Sequence, residues 1–323
     1  MSESPSPADG RRTGRVVASH GRQLDVEDTA GVRHACRLHG RQLRVVCGDE
    51  VRFGYATEGD SQGTVYELLP RRRLLERLNG RGQGEPVVAN LDQLIVVIAP
   101  EPRPDWDVVD RYLAGAEWTG IKAVVALNKS DIRGDALIAA EQELEVYRRL
   151  DYPVVHCSTR HAPGIDSLRR ELSQSVSVLV GQSGTGKSSL LNALVPEARA
   201  LTQEISAATE EGRHTTTTAA LHALSGGGAL VDSPGVRDYA PPLPLARQIG
   251  EGFREIATLA PACRFADCLH RSEPSCRVRV AAESEPLRLS GRRYASYLRL
   301  LALVDRFDDP SRSSKAAKAP RRR

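Results

Sequence analysis

The chain has 323 residues, 40% of them apolar and 27% charged, which is enough for two or three domains with at least one sizeable core. No stretch approaches 18 uncharged apolar residues, which argues against a spanning helix, and the polar stretch Met1 to Gly10 lacks the apolar run of a secretory signal, so a cytoplasmic protein with no membrane partner is expected. The net charge of +4 is unevenly spread: residues 11–80 sum to +4, 81–253 to −6 and 254–323 to +8. An Arg-rich composition explains Arg over Lys but not this segregation, so a polyanionic partner, nucleic acid, is expected at the basic ends.

Residues 13–70 read as β. Gly14 to Ala18, Gln23 to Glu27, Val32 to Cys36, Val51 to Tyr55 and Gly63 to Leu69 are short strand-like runs. Turn signals separate them, which predicts a small barrel. Arg71-Arg72-Arg73 is a basic joint, and a domain of residues 71–240 follows. Within it Gln93 to Ala99, Ile121 to Leu127, Pro153 to Cys157, Ser175 to Val180 and Ala229 to Val231 are apolar runs of the kind buried in parallel sheets. Helical patterns at Val108 to Thr119 and Gly134 to Leu150 alternate with them, predicting a doubly wound, mostly parallel α/β domain. Residues 241–310 read as mainly helical, with an apolar stripe over Gly291 to Phe307. The tail, 311–323, is basic and without acids, and is expected to be disordered.

Gly181-Gln182-Ser183-Gly184-Thr185-Gly186-Lys187-Ser188 fits the phosphate-loop pattern. A strand-like run precedes it and a helix-like run beginning at Ser189 follows. Glycines let backbone N–H groups turn around phosphates, Lys187 can reach β/γ oxygens, and the Ser188 hydroxyl can ligate Mg²⁺. Asp232-Ser233-Pro234-Gly235 follows another apolar strand. Asp232 can hold Mg²⁺ through water and the Gly235 N–H can meet a γ-phosphate. Asn128-Lys129-Ser130-Asp131 ends the second apolar strand of this domain. The acceptor-only Asp131 carboxylate suits the N1–H and amine of guanine and is repelled by adenine N1. Cys157-Ser158-Thr159 lies where a backbone N–H could meet the base oxygen, with Ser158 as the candidate.

The base-reading motif at 128 precedes the phosphate loop at 181, the reverse of ordinary G domains. The ends of adjacent parallel strands converge, so a permuted chain can rebuild one site. Gly212-Arg213-His214-Thr215-Thr216-Thr217-Thr218 lies between the two phosphate motifs. One threonine can supply a second hydroxyl to Mg²⁺; the run does not decide among the four, and Thr216 is carried forward as the candidate. Val236 stands where many G domains place a water-orienting Gln, so His214 is expected to position the attacking water. Cys263, Cys268, His270 and Cys276 offer three thiolates and an imidazole, a complete tetrahedral set for one structural Zn²⁺. Cys36, Cys47 and Cys157 are expected to be small buried apolar residues.

Taken together, the permuted order of motifs, the Gly-x-His-Thr-Thr-Thr run and the Cys/His knot resemble the RsgA family (also YjeQ or EngC) of bacterial small-subunit biogenesis GTPases, over roughly residues 13–310. Cys157-Ser158-Thr159 departs from the more usual Ser-Ala pair, which bears only on the base-oxygen contact. The resemblance implies an OB-fold barrel at 13–70, a permuted GTPase domain at 71–240 and a zinc-binding domain at 241–310. It also implies docking on the 30S ribosomal subunit and its 16S rRNA during late maturation, with hydrolysis of GTP to GDP stimulated by the ribosome and His214 as catalytic residue; a monomer is expected. The competing reading is a nucleic-acid-binding nucleotide switch with negligible turnover, which Val236 favours.

Overall fold

The computed structural model describes residues 11–40, 43–55, 60–79, 83–160, 164–196, 219–233, 236 and 239–308. His214, Thr216, Gly235 and the basic tail lie outside them.

Five strands form the N-terminal barrel: β1 (Arg12–His20), β2 (Gln23–Asp28), β3 (Arg33–Leu38), β4 (Glu50–Gly54) and β5 (Gly63–Leu68). The order is β1-β2-β3-β5-β4, with β3 and β5 parallel, and β4 returns to pair with β1. Alternation sends Val16, Leu24, Val26, Val51, Phe53 and Val65 inward to a single core. A register shift in β1 between Val16 and Ala18 bends its far end out of the barrel. There Ala18 and Ser19 pair with β12 (Ala219–Ala223) of the next body. Barrel and α/β sheet are thus one continuous eleven-stranded sheet.

Two strands intervene, β6 (Leu74–Leu78) and β7 (Gly84–Ala89), as a separate antiparallel pair. The sequence reading passed over this pair because Leu74-Leu75-Glu76-Arg77-Leu78 does not alternate. At the joint, Asp49 is fully buried and takes two hydrogen bonds from Arg71, at 2.7 and 2.8 Å.

The α/β sheet runs β10 (Val154–His156), β9 (Lys122–Leu127), β8 (Gln93–Ile98), β11 (Val176–Val180), β13 (Ala229–Asp232), β12. All neighbours are parallel except the β13–β12 pair. β8 is buried along its whole length. Leu94, Val96 and Ile98 face a core shared with α1 (Trp106–Thr119) and α2 (Asp135–Arg149). Ile95 and Val97 face the core under α3 (Asp166–Leu172) and α4 (Lys187–Leu194). This is the period-two division of a strand between two helical layers.

The C-terminal body comprises a 3-10 turn at Ala246–Gly252, α5 (Arg254–Leu259), α6 (Arg277–Ser284) and α7 (Gly291–Asp308). Its core of Ile256, Phe253, Tyr297 and Leu301 includes Ala114 of α1, so α1 packs on both bodies. No helix of the described residues is long and apolar enough to cross a membrane.

Candidate functional site

The phosphate loop joins β11 to α4, and its backbone geometry dictates its glycines. Gly181 has φ 144° and a Cβ there would stand 2.2 Å from the Val97 carbonyl oxygen. Gly186 has φ 91°, and its Cβ would meet Asn128 Nδ2 at 2.3 Å. Only glycine tolerates both the conformation and the approach. Lys187 opens α4 and turns its ammonium into the loop, donating to the carbonyls of Gly181 (2.7 Å) and Gln182 (2.8 Å).

The base-reading loop is locked to this one although 53 residues separate Asn128 from Gly181. Asn128 is buried, and its Nδ2 donates to the Thr185 carbonyl at 2.8 Å. Its Oδ1 faces the Cys157 thiol at 3.8 Å, and burial pushes that thiol up to about 12, so it stays neutral. Lys129, at φ 55°, donates from Nζ to the Glu101 carbonyl. Asp131 accepts from the Ser158 hydroxyl at 2.6 Å, and Arg160 Nη1 lies 3.9 Å from its second oxygen. The Ser158 amide is already committed to the Gly164 carbonyl at 3.0 Å. Ser158 thus gives its hydroxyl to Asp131 and its N–H to the Gly164 carbonyl.

A cavity of about 670 Å³ runs between these loops, walled by Lys129, Gly184, Lys187, Ser188, Asp232 and Val236. Ser183, Ser189 and Ser233 also line it. Asp232 ends β13, next to the strand carrying the phosphate loop, so the two phosphate motifs and the base motif share the carboxyl edge of one sheet. Val236 is buried and apolar, unable to orient water.

Two contacts escaped the sequence. The loop after β8 lies against the phosphate loop: Pro102 is 3.4 Å from where a Gly184 Cβ would be, and Gln182 Oε1 accepts from the Asp105 N–H. Proline-rich loops carry no signal of this kind. Arg160 beside Asp131 directly follows the Cys157-Ser158-Thr159 triplet and was within reach of that reading.

In the C-terminal body, Cys263, Cys268, His270 and Cys276 place their ligand atoms within 4.8 Å of one another. His270 Nδ1 is 3.5 Å from both Cys263 Sγ and Cys276 Sγ, and those sulfurs are 3.9 Å apart. Tetrahedral Zn²⁺ with ordinary bond lengths requires about 3.8 Å between sulfurs and about 3.5 Å from sulfur to nitrogen. The donor set fits that ion and leaves no open position. Burial lowers the His270 pKa, favouring the neutral imidazole that ligates, and burial beside other thiols holds Cys268 up at about 12, a cost that a dication reverses. Glu273, which the sequence did not single out, organises the turn: its carboxylate accepts from the N–H groups of Leu269, Arg271 and Ser272. Tyr294 and Tyr297 of α7 donate to the carbonyls of His270 and Leu269.

Comparison with known proteins agrees with this geometry. The family model described as RsgA GTPase matches residues 68–241. A protein of Chromohalobacter salexigens named small ribosomal subunit biogenesis GTPase RsgA is 42% identical over 290 residues, covering 88% of this chain and 84% of its own. One of the same name from Ectopseudomonas mendocina is 40% identical over 302 residues, covering 92% and 87%. The crystal structure of YjeQ from Thermotoga maritima matches with a TM-score of 0.73 at 32% identity, over 91% of this chain and 98% of that one. YloQ, described as a circularly permuted GTPase, shares the fold with a TM-score of 0.70 at 24% identity, over 99% and 100%. The phosphate loop, the permuted base motif and this degree of identity along most of the chain lead to one conclusion: the chain belongs to the RsgA GTPase family.

Proposed function

We propose that this chain is a GTPase of small-ribosomal-subunit biogenesis, binding the 30S particle and coupling hydrolysis of GTP to GDP and phosphate to late maturation and to its own release. The observation that carries the reading is that the loops bearing Asp131 and Lys187 follow β9 and β11, which flank β8 in one sheet, and that Asn128 of the first loop donates to the Thr185 carbonyl of the second. An acid that selects guanine and a lysine that grips phosphates serve a single nucleotide in that arrangement. The names of the relatives, small ribosomal subunit biogenesis GTPase, support the partner.

Within this reading Ser158 holds Asp131 against the base, Asn128 ties that loop to the phosphate loop, and the N–H groups of Gly181 to Ser189 cradle the phosphates. Ser188, Asp232 and Thr216 would hold Mg²⁺, which when bound would neutralise negative charge on the phosphates. His214 positions the attacking water, since Val236 is unable to, and the Gly235 N–H senses the γ-phosphate. Catalysis of this kind is positioning and charge, so a particle that fixes the His214 loop raises turnover. The cysteine–histidine knot holds one structural Zn²⁺, and the basic barrel and basic C-terminal body meet 16S rRNA. The protein works as a cytoplasmic monomer, where subunits are assembled.

The test is steady-state GTP hydrolysis with and without 30S subunits, for wild type and His214→Ala. Stimulation is expected for wild type, and a loss of about 10²-fold or more for the variant. Wild type that hydrolyses GTP no faster with 30S would favour a nucleotide switch without turnover.

A further inference from the structure

Between Cys263 and Cys268 the chain passes through Arg264, Phe265, Ala266 and Asp267, all exposed. The Cys268 N–H closes this turn on the Phe265 carbonyl at 3.3 Å. Phe265 keeps 39% of its surface in water, and the Arg264 guanidinium lies over its ring, 5.4 Å from the centroid. An isolated exposed ring is ordinary; its arginine is not. Arg271, Arg277, Arg279 and Arg288 in the same body each face a carboxylate within 4 Å. Arg264 faces only the ring among the described residues. Arg254 and Arg299 pair with acids of α1, whereas the Arg264 guanidinium is stacked on an exposed aromatic.

We propose that Arg264 and Phe265 form an RNA contact, in which Phe265 stacks on an unpaired base and Arg264 meets the adjoining phosphate. This rests on the reading of the chain as a small-subunit factor, and it names the side chains by which the metal-bearing body meets RNA. Base–aromatic stacking is strong and tolerant of sequence. A turn held at both ends by metal ligands presents the pair with little ordering cost. Asp267 on the same turn makes the tip locally neutral, so stacking rather than net charge supplies most of the contact. Tyr66 of the barrel, which also carries an arginine on its ring (Arg11, 4.6 Å), has His39 at 5.3 Å as well and offers a base less free surface.

The experiment uses the full-length, zinc-loaded protein. Single-stranded oligouridylate carrying 5-iodouracil is crosslinked by ultraviolet light and the attachment sites are mapped by mass spectrometry. Binding to purified 30S subunits is measured in parallel. Wild type and Phe265→Trp are expected to crosslink at residue 265. Phe265→Ala should lose that crosslink and bind 30S subunits about tenfold more weakly. Arg264→Gln should reduce the crosslink several-fold. Zinc content equal to wild type shows that each variant is folded. Crosslinks confined to other residues overturn the proposal. So does weaker 30S binding by Phe265→Ala without an RNA crosslink at 265, which assigns the tip to a ribosomal protein. A crosslink at 265 in a protein whose GTP hydrolysis ignores 30S subunits would instead sink the proposed function and leave the contact standing.

Discussion

Arg293 of α7 is completely buried and donates from Nη1 to Asp110 Oδ1 of α1 at 2.7 Å. The same guanidinium pairs with Glu255 of α5, and Asp110 also takes Arg292 at 2.7 Å and the Tyr147 hydroxyl at 2.7 Å. Burial alone would push Arg293 down, but Asp110 and Glu255 reverse it and hold the group charged. The body carrying the Cys/His cluster is thereby fixed to a helix that also packs on the α/β sheet. Removing one member strands the others: Arg293→Ala should cost about 3–5 kcal/mol, whereas Arg293→Met together with Asp110→Leu and Glu255→Leu should cost less than the single truncation. Urea unfolding midpoints of the variants check this.

The Ser158 hydroxyl on Asp131 makes a graded prediction. Asp131→Asn should erase the preference for GTP over ATP by about 10²-fold or more, because the amide offers adenine a donor. Ser158→Ala keeps the carboxylate but frees it to rotate. It should raise the KM for GTP about fivefold, the worth of roughly 1 kcal/mol, and leave the base preference in place. Competition binding with both nucleotides separates the two effects.

Glu273 predicts a metal phenotype without being a ligand. Three backbone N–H groups converge on its carboxylate inside the turn that presents His270, itself at φ 56°. Glu273→Ala should weaken zinc retention about 10- to 100-fold against a chromophoric chelator. Removing zinc altogether should unfold the turn between Cys263 and Cys276 while the nucleotide site keeps its GTP affinity.

The barrel carries an acid-sensitive lock. Asp28 accepts from His34 at 2.9 Å, while the other ring nitrogen of His34 meets Tyr55. The His34 bond, then the N–H groups of Val32 and Ala30, hold the Asp28 pKa below its usual value. A carboxylate depressed in the folded state stabilises at any pH above its unfolded pKa, near 4. That stabilisation is lost as pH falls through the lower folded value. Barrel stability should therefore drop on acidification below about pH 4, and Asp28→Asn should flatten that limb of the stability–pH curve.

Much of this was legible in the chain because the physics is local. Gln93 to Ala99 and Ile121 to Leu127 are apolar without alternation, and they are β8 and β9, strands covered on both faces. Cys36, Cys47 and Cys157 are buried, as small apolar residues should be. The glycines of the phosphate loop and the spacing of the four metal ligands are likewise set by short-range geometry. What escaped depends on partners distant in sequence. Ala219 to Ala223 has no strand signature of its own, yet becomes β12 because β13 and β1 offer it hydrogen bonds on both sides. Asp110, a charged residue on an apolar helix face, gives no hint that two arginines 182 and 183 residues away will bury it. Ser158 stands out by its position, but its hydroxyl bond to Asp131 depends on a residue 27 positions away.

The most direct test is a crystal structure with a non-hydrolysable GTP analogue and Mg²⁺. The account predicts one nucleotide spanning the sheet edge, its guanine N1 and amine within about 3 Å of the Asp131 carboxylate, while Lys187 contacts the β and γ phosphates. A base turned away from Asp131 with its phosphates still on Lys187 would contradict the claim that these permuted loops assemble a single guanine site.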